Sequence, residues 1–525
     1  MADSPIDEGA GTPVPGDVLT PPTGTPALRP ADRLIHPDTD VPVRGPNPVP
    51  VDTGQVTIDP VPEPPVADAA DDPAHVAMRA RIKRFVLTVV IIAALGGALF
   101  GYDTGVISGV LVYLTPDFGL SSTQVGVITS SLLIGAAIGS LTGGWLADRV
   151  GRRRTLLGAA TLFFAGAIAQ ALSPNPAFMV GTRLLLGVAV GTASLVVPMY
   201  VSEIAPATYR GRLVSMNSLM IASGQLLAYI VNALLAPTGN WRVMLAMAAI
   251  PAVALFAGML FMPDSPRWYL SKGREDDARR VLRRSYYPEH VEPTITEIEE
   301  TTAADRAVKA SLRDQLRKPK VRALFWTGVG LALIQQFVGV NTVVYYAPTT
   351  LTQAGLGDSS AVTSSIGIGI GAVLGVLGGM SLVDRIGRRP TMFAGMTVMI
   401  VALIAMAAAE ALLPDEPASG YLLLAMMILY IGSFQVGVGV PTWLLLSEIF
   451  PAPIRSVAMS ITTFLVWAGN FVVSLVFPPL GDLWGPSTMF VIFAAVGVAS
   501  LAFCYRRVPE TKGVSLEQIT AAAES

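Results

Sequence analysis

An alternation confines this sequence more than anything else in it. Twelve nearly uncharged apolar runs, near 85–114, 123–147, 155–173, 178–202, 213–236, 241–262, 322–350, 360–383, 391–413, 420–449, 456–480 and 485–505, are separated by connections of which every second one gathers basic residues. About 20 apolar residues cross a bilayer core as an α-helix. In lipid each spanning segment must satisfy its own backbone N–H and C=O groups. The sequence therefore predicts an all-α membrane protein with twelve transmembrane helices. Its composition agrees: 14% of residues are charged, against about 25% in soluble domains. A net charge of -2 gives no reason to expect nucleic acid as a partner.

The placement of charge predicts the topology. Arg79, Arg81, Lys83 and Arg84 precede the first run, and further arginines gather at every second connection. Read by the positive-inside rule, both termini are cytoplasmic and the protein is multi-pass in the plasma membrane. Residues 1–78 read as a disordered cytoplasmic tail, because their Pro-, Asp-, Gly- and Thr-rich composition cannot offset the entropy of ordering. No apolar segment there suggests a cleavable signal. Two six-helix halves follow at 79–263 and 322–507, joined by a cytoplasmic helical linker at 264–321, with a short cytoplasmic tail at 508–525. Within the linker, residues 272–284 have a helical pattern, and Thr294 with Glu297 has the form of a capping box. Cys504 is the one cysteine and is given no role.

The two halves repeat each other. Asp148-Arg149-Val150-Gly151-Arg152-Arg153 follows the second run and Asp384-Arg385-Ile386-Gly387-Arg388-Arg389 follows the eighth. Ser202-Glu203-Ile204 with Arg210 is matched by Ser447-Glu448-Ile449 with Arg455. PDSPR at 263–267 ends one half as PETK at 509–512 ends the other. Matched halves are the mark of a transporter whose parts rock about a central site. The second and third arginines of each turn serve as positive-inside anchors. Anchoring needs no acids, so the acids predict a cytoplasmic gate of ion pairs that open and close, drawn from Asp148, Arg149, Arg152, Arg210, Asp384, Arg385, Arg388, Glu448 and Arg455, with Glu203 beside them.

Asp103 is the only charge in the first run. An acid at a membrane helix centre costs roughly 2.5–3.5 kcal/mol on insertion scales, and marks a functional site that needs a partner. Its candidate partner is Arg183, the only base in the fourth run. Gln335, Gln336 and Asn341 form an amide cluster in the seventh run. Amides both donate and accept, which suits a ring of hydroxyls. On one continuous helix the three would not share a face, so convergence requires a break, for which Gly339 is the obvious place.

These motifs together, GYDTGVISG at 101–109, both DRxGRR turns, RLLLGVAVG at 183–191, PMYVSEIAPA at 198–207, PDSPRWYL, QQFVGVN at 335–341 and PETKG at 509–513, resemble the sugar porters of the major facilitator superfamily. The resemblance covers roughly 85–515 and implies two pseudo-repeated six-helix bundles working by alternating access. It implies that Asp103 accepts a coupling proton, with Arg183 tuning it and Glu203 belonging to the cytoplasmic charge network. It further implies a substrate site of Gln335, Gln336, Asn341, Tyr345 and Trp443, with Gln225, Asn217 and Ser218 from the fifth helix. Ser218 and Val466 stand where sugar-transporting relatives carry amides. The stretch at 210–236, including Gln225 and Asn232, looks like the inositol-type porters. The expected function is proton-coupled import of a polyol or monosaccharide, with myo-inositol favoured, by a monomer embedded in the lipid bilayer. No cofactor beyond the proton and no metal is expected, and no enzymatic constellation is present. A glucose- or xylose-type symporter, a uniporter and a non-transporting sugar sensor are the alternatives.

Overall fold

A computed structural model describes residues 73–205, 207–307, 312–412, 417–451 and 454–512, with side chains for all but 73–74, 207–215, 303–307, 312 and 417. The tail readings at 1–72 and 513–525 and the gate role of Arg210 lie outside the described residues and side chains. Every regular element among the described residues is helical. The first half comprises α1 (Pro73–Phe118), α2 (Ser122–Val150), α3 (Arg152–Ala171), α4 (Pro176–Ile204), α5 (Ala207–Leu235), and the pair α6 (Trp241–Ala246) and α7 (Ala249–Leu260). Between the halves lie α8 (Pro266–Ser271), α9 (Glu275–Ser285), α10 (Pro288–Ala307) and α11 (Leu312–Gln315). The second half comprises the pair α12 (Pro319–Phe337) and α13 (Val340–Gln353), then α14 (Asp358–Ile386), α15 (Arg388–Leu412), α16 (Pro417–Phe434), α17 (Val440–Ile449), α18 (Arg455–Trp484) and α19 (Pro486–Arg507). Among the described residues 12 spans are long and apolar enough to cross a membrane.

Two local expectations change. The span read as tail to residue 78 ends earlier, because α1 begins at Pro73. Proline at the first helical position is preorganised and loses no needed hydrogen bond, and no glycine or proline interrupts the following residues. Thr294 is not a helix cap. It lies inside α10, where its hydroxyl donates to the carbonyl of His290 at 2.7 Å.

Helix packing places the acid. On α1, glycines recur every four residues at 97, 101, 105 and 109, and all face α5: a side chain at Gly101 would collide with the carbonyl of Ile221, and one at Gly105 with Gln225 and Ala228. Small residues at this spacing let membrane helices approach closely. Asp103 comes two residues after Gly101 and so points about 200° around the helix, away from α5 and toward α4. Asn232 of α5 lies at the helix contact. Its amide donates to the carbonyls of Gly105 at 3.3 Å and Val106 at 3.1 Å, and its Oδ1 has no hydrogen-bond partner among the described residues.

The halves meet at the end remote from the DRxGRR turns. There Gly126 of α2 presses on the backbone of Leu475 of α18, and Gly369 of α14 packs against Leu226 and Tyr229 of α5. Tyr229 donates to the carbonyl of Val344 of α13 at 3.1 Å. Nearer the middle, Phe100 of α1 and Trp467 of α18 meet edge to face, 5.4 Å between centroids.

Candidate functional site

Asp103 and Arg183 meet in the first half, both 1% exposed, with Arg183 Nη2 3.6 Å from Asp103 Oδ2. That spacing is an ion pair without a hydrogen bond. Neither carboxylate oxygen of Asp103, nor Nε or Nη1 of Arg183, has a hydrogen-bond partner among the described residues. Tyr345, on α13 of the other half, lies within electrostatic reach of both charges and beside Asn470. The centre of the molecule therefore has a charge pair on one half and a hydroxyl of the other half facing it.

The amides are assembled by a helix break. α12 ends at Phe337, Gly339 adopts a left-handed φ of 86°, and α13 starts at Val340. A left-handed residue is favourable only for glycine, and a side chain at 339 would also strike the ring of Phe493. The carbonyl freed at Val338 accepts from the hydroxyl of Tyr430 at 2.7 Å. Across this break Asn341 donates to Gln336 Oε1 at 2.6 Å. Gln335 is buried with its Oε1 unpartnered among the described residues.

The other predicted site residues are more dispersed. Gln225 is buried and donates to the hydroxyl of Tyr229 at 3.1 Å, which ties it to the contact between halves. Asn217 turns its Oδ1 against Gly97 of α1. Ser218 and Trp443 are half-buried. Trp443 follows a π-helical segment, Gln435–Gly439, in which Val440 N–H donates to the carbonyl of Gln435. Pro441 accounts for the segment: it has no N–H to donate, and its ring crowds the carbonyl four residues earlier.

Glu203 does not face Asp103. Arg152 Nη2 donates to its Oε1 at 2.9 Å, and Arg152 also reaches Asp148 at 2.9 Å. In the second half Arg388 donates to Glu448 at 2.8 Å and lies 3.8 Å from Asp384. Each of these networks closes within its own half. Arg149 is exposed and sits 5.3 Å from the Trp145 ring of its own helix. Arg385 supplies a backbone carbonyl to Lys512, and Arg455 donates to the carbonyl of Phe450 at 3.1 Å.

Sequence reasoning missed two carboxylates that organise these turns. Asp264 Oδ1 accepts from the backbone N–H of Arg152 at 2.8 Å and of Arg153 at 3.3 Å. Glu510 accepts from Arg388 N–H at 3.0 Å and Arg389 N–H at 2.9 Å. Each caps the helix that begins after Gly151 or Gly387, whose φ values are 103° and 100°. Burial pushes the Asp264 carboxyl above its ordinary range despite its backbone donors. For Glu510 burial also acts upward, but its four backbone N–H donors outweigh it and hold the carboxyl below the usual range. The arginines read as anchors have partners too. Arg153 donates to Met259 and Leu260 carbonyls, and Arg389 to that of Tyr505. The repeated PDSPR and PETK motifs carried the signal, although their partners could not be read from it.

Comparison with known proteins agrees with this architecture. The family described as Sugar (and other) transporter matches residues 89–523. The major myo-inositol transporter IolT of Bacillus subtilis (strain 168) is 41% identical over 443 residues, covering 83% of this chain and 93% of that protein. The galactose-proton symporter of Escherichia coli (strain K12) is 36% identical over 439 residues, covering 83% and 94%. The xylose transporter XylE from E. coli, in a partially occluded inward open conformation, superposes with a TM-score of 0.72 at 32% identity, over 82% of this chain and 100% of the other. Since likeness of this extent runs through both halves, the chain belongs to the Sugar (and other) transporter family, as a multi-pass membrane transporter and not an enzyme.

Proposed function

We propose that the protein imports a polyol or monosaccharide together with a proton, by alternating access, with both termini in the cytoplasm and myo-inositol as the favoured substrate. The observation that carries the reading is the Asp103–Arg183 pair, 1% exposed and 3.6 Å apart. Arginine keeps its charge at any ordinary pH, so only the carboxylate can change state. A proton on Asp103 would remove its attraction to Arg183 and alter the field at Tyr345 across the interface. Each 100 mV supplies about 2.3 kcal/mol per charge moved, enough for roughly a fifty-fold gradient.

Gln335, Gln336 and Asn341 are the proposed hydroxyl-binding groups, with Trp443 offering an apolar ring face to the substrate. The name of the 41%-identical relative IolT favours myo-inositol, as does the lack of an amide at Ser218 and Val466. Proteoliposome uptake of labelled myo-inositol, glucose and xylose, with and without a pH gradient, tests the proposal. The expected result is gradient-driven accumulation, greatest for myo-inositol, with alkalinisation of the medium. Asp103→Asn should exchange substrate across the membrane but neither accumulate it nor move protons. Undiminished accumulation by Asp103→Asn would remove Asp103 from the coupling.

A further inference from the structure

On the face that carries the DRxGRR turns, α9 packs beside the N-terminal part of α1. A cleft of about 600 Å³ between them is lined by Arg81, Asp276, Arg279, Arg280, Arg283 and Arg284. Acids nearby neutralise two of these cations: Arg279 pairs with Glu275 at 2.6 Å and Glu292 at 2.8 Å, and Arg280 with Asp277 at 2.9 Å. Among the described residues Arg81, Arg283 and Arg284 have no ion pair, although Glu292 acts on Arg283 from a distance. Asp276, also in the lining, lies 3.8 Å from Arg279, and the cleft keeps a net positive charge that attracts an anion.

The height of the cleft identifies the anion. The Arg284 guanidinium stands 5.2 Å from the centroid of the Phe85 ring, and Phe85 begins the uncharged run of α1. The cleft thus lies where the basic stretch 79–84 gives way to the apolar run, the position at which basic side chains meet lipid phosphates. His75 of α1 stacks on Tyr287, in the connection after α9, at 5.6 Å. Guanidinium groups bind phosphate through forked, charge-assisted hydrogen bonds.

We propose that this cleft binds the phosphate headgroup of an anionic membrane lipid through Arg81, Arg283 and Arg284. The site sits on the segment joining the two halves, where a bound lipid would fix α9 against α1. The test measures binding of fluorescent phosphatidylglycerol and phosphatidylcholine to the delipidated full-length protein in detergent. Wild type should prefer phosphatidylglycerol, and Arg81→Gln/Arg283→Gln/Arg284→Gln should lower that preference on the order of tenfold or more without changing phosphatidylcholine binding. A control on the same face, Arg322→Gln/Arg506→Gln/Arg507→Gln, should keep it within about twofold, because general charge loss is weakly felt beyond a Debye length. Equal loss in both triples, or no loss in the first, would overturn the proposal. Competition by glycerol phosphate as tight as by the lipid would also overturn it, in favour of a soluble phosphate anion.

Discussion

At Gly151 and Gly387 one structural problem is solved by carboxylates of different length and setting. Asp264 is largely enclosed and Glu510 more open, and the two respond to acid in opposite directions. The Glu510 carboxyl is held below its ordinary range by backbone N–H groups. Its stabilisation is therefore present above the unfolded pKa of about 4.3 and lost as pH falls through the lower folded value. Glu510→Gln should cost about 1–3 kcal/mol at neutral pH, and the difference from wild type should shrink in thermal unfolding below the ordinary glutamate range. Asp264, raised by burial, is relieved by protonation. Its stabilising deficit appears as pH rises from the unfolded toward the folded value, so Asp264→Asn should cost less at neutral pH than Glu510→Gln. At the pocket, Gln336→Ala removes the acceptor of Asn341 and a proposed substrate contact. Binding measured by calorimetry should weaken roughly tenfold, in line with one or two hydrogen bonds of about 1 kcal/mol each, and unchanged affinity would move the site elsewhere.

Among the elements, the break between α12 and α13 has the clearest consequence. Gly339 holds a φ of 86°, which costs a residue with a side chain about 1–3 kcal/mol, and Phe493 leaves no room for one. Gly339→Ala should lower the thermal midpoint and weaken substrate binding together, because the register that brings Asn341 to Gln336 is lost. A fall in stability with binding intact would separate the break from the pocket. The need for this break was readable from the angular spacing of three amides on a helix. The π-helical turn before Trp443 was not. Pro441 accounts for the irregularity, but a proline in the sequence does not say whether the helix will widen and continue or end.

For the whole molecule, contact between the halves at the end away from the DRxGRR turns, with each charge network closed in its own half, makes rocking testable by distance. Spin labels at Arg149 and Arg385 report one end, and labels at Thr123 and Asp482 the other; all four positions are exposed. Cys504, the single cysteine, is buried, which limits background labelling. Adding substrate or changing pH should move the two distances in opposite senses. Parallel changes would reject rocking of the halves.

The sequence alone determined the twelve spans, the repeat and the class of protein. Each span is a local property, since a helix in lipid must satisfy its own backbone whatever its neighbours are. It also named Asp103 and Arg183 as partners, because two lone charges in apolar runs have few other choices. Only the tertiary structure decided how they meet: at 3.6 Å and without a hydrogen bond. It likewise assigned Asp264 and Glu510 to the turns, turned Asn232 into a tie between helices, and set Glu203 on Arg152. Those outcomes depend on which helix faces lie against each other. Composition and period leave that open, and close packing of glycine-lined helices settles it.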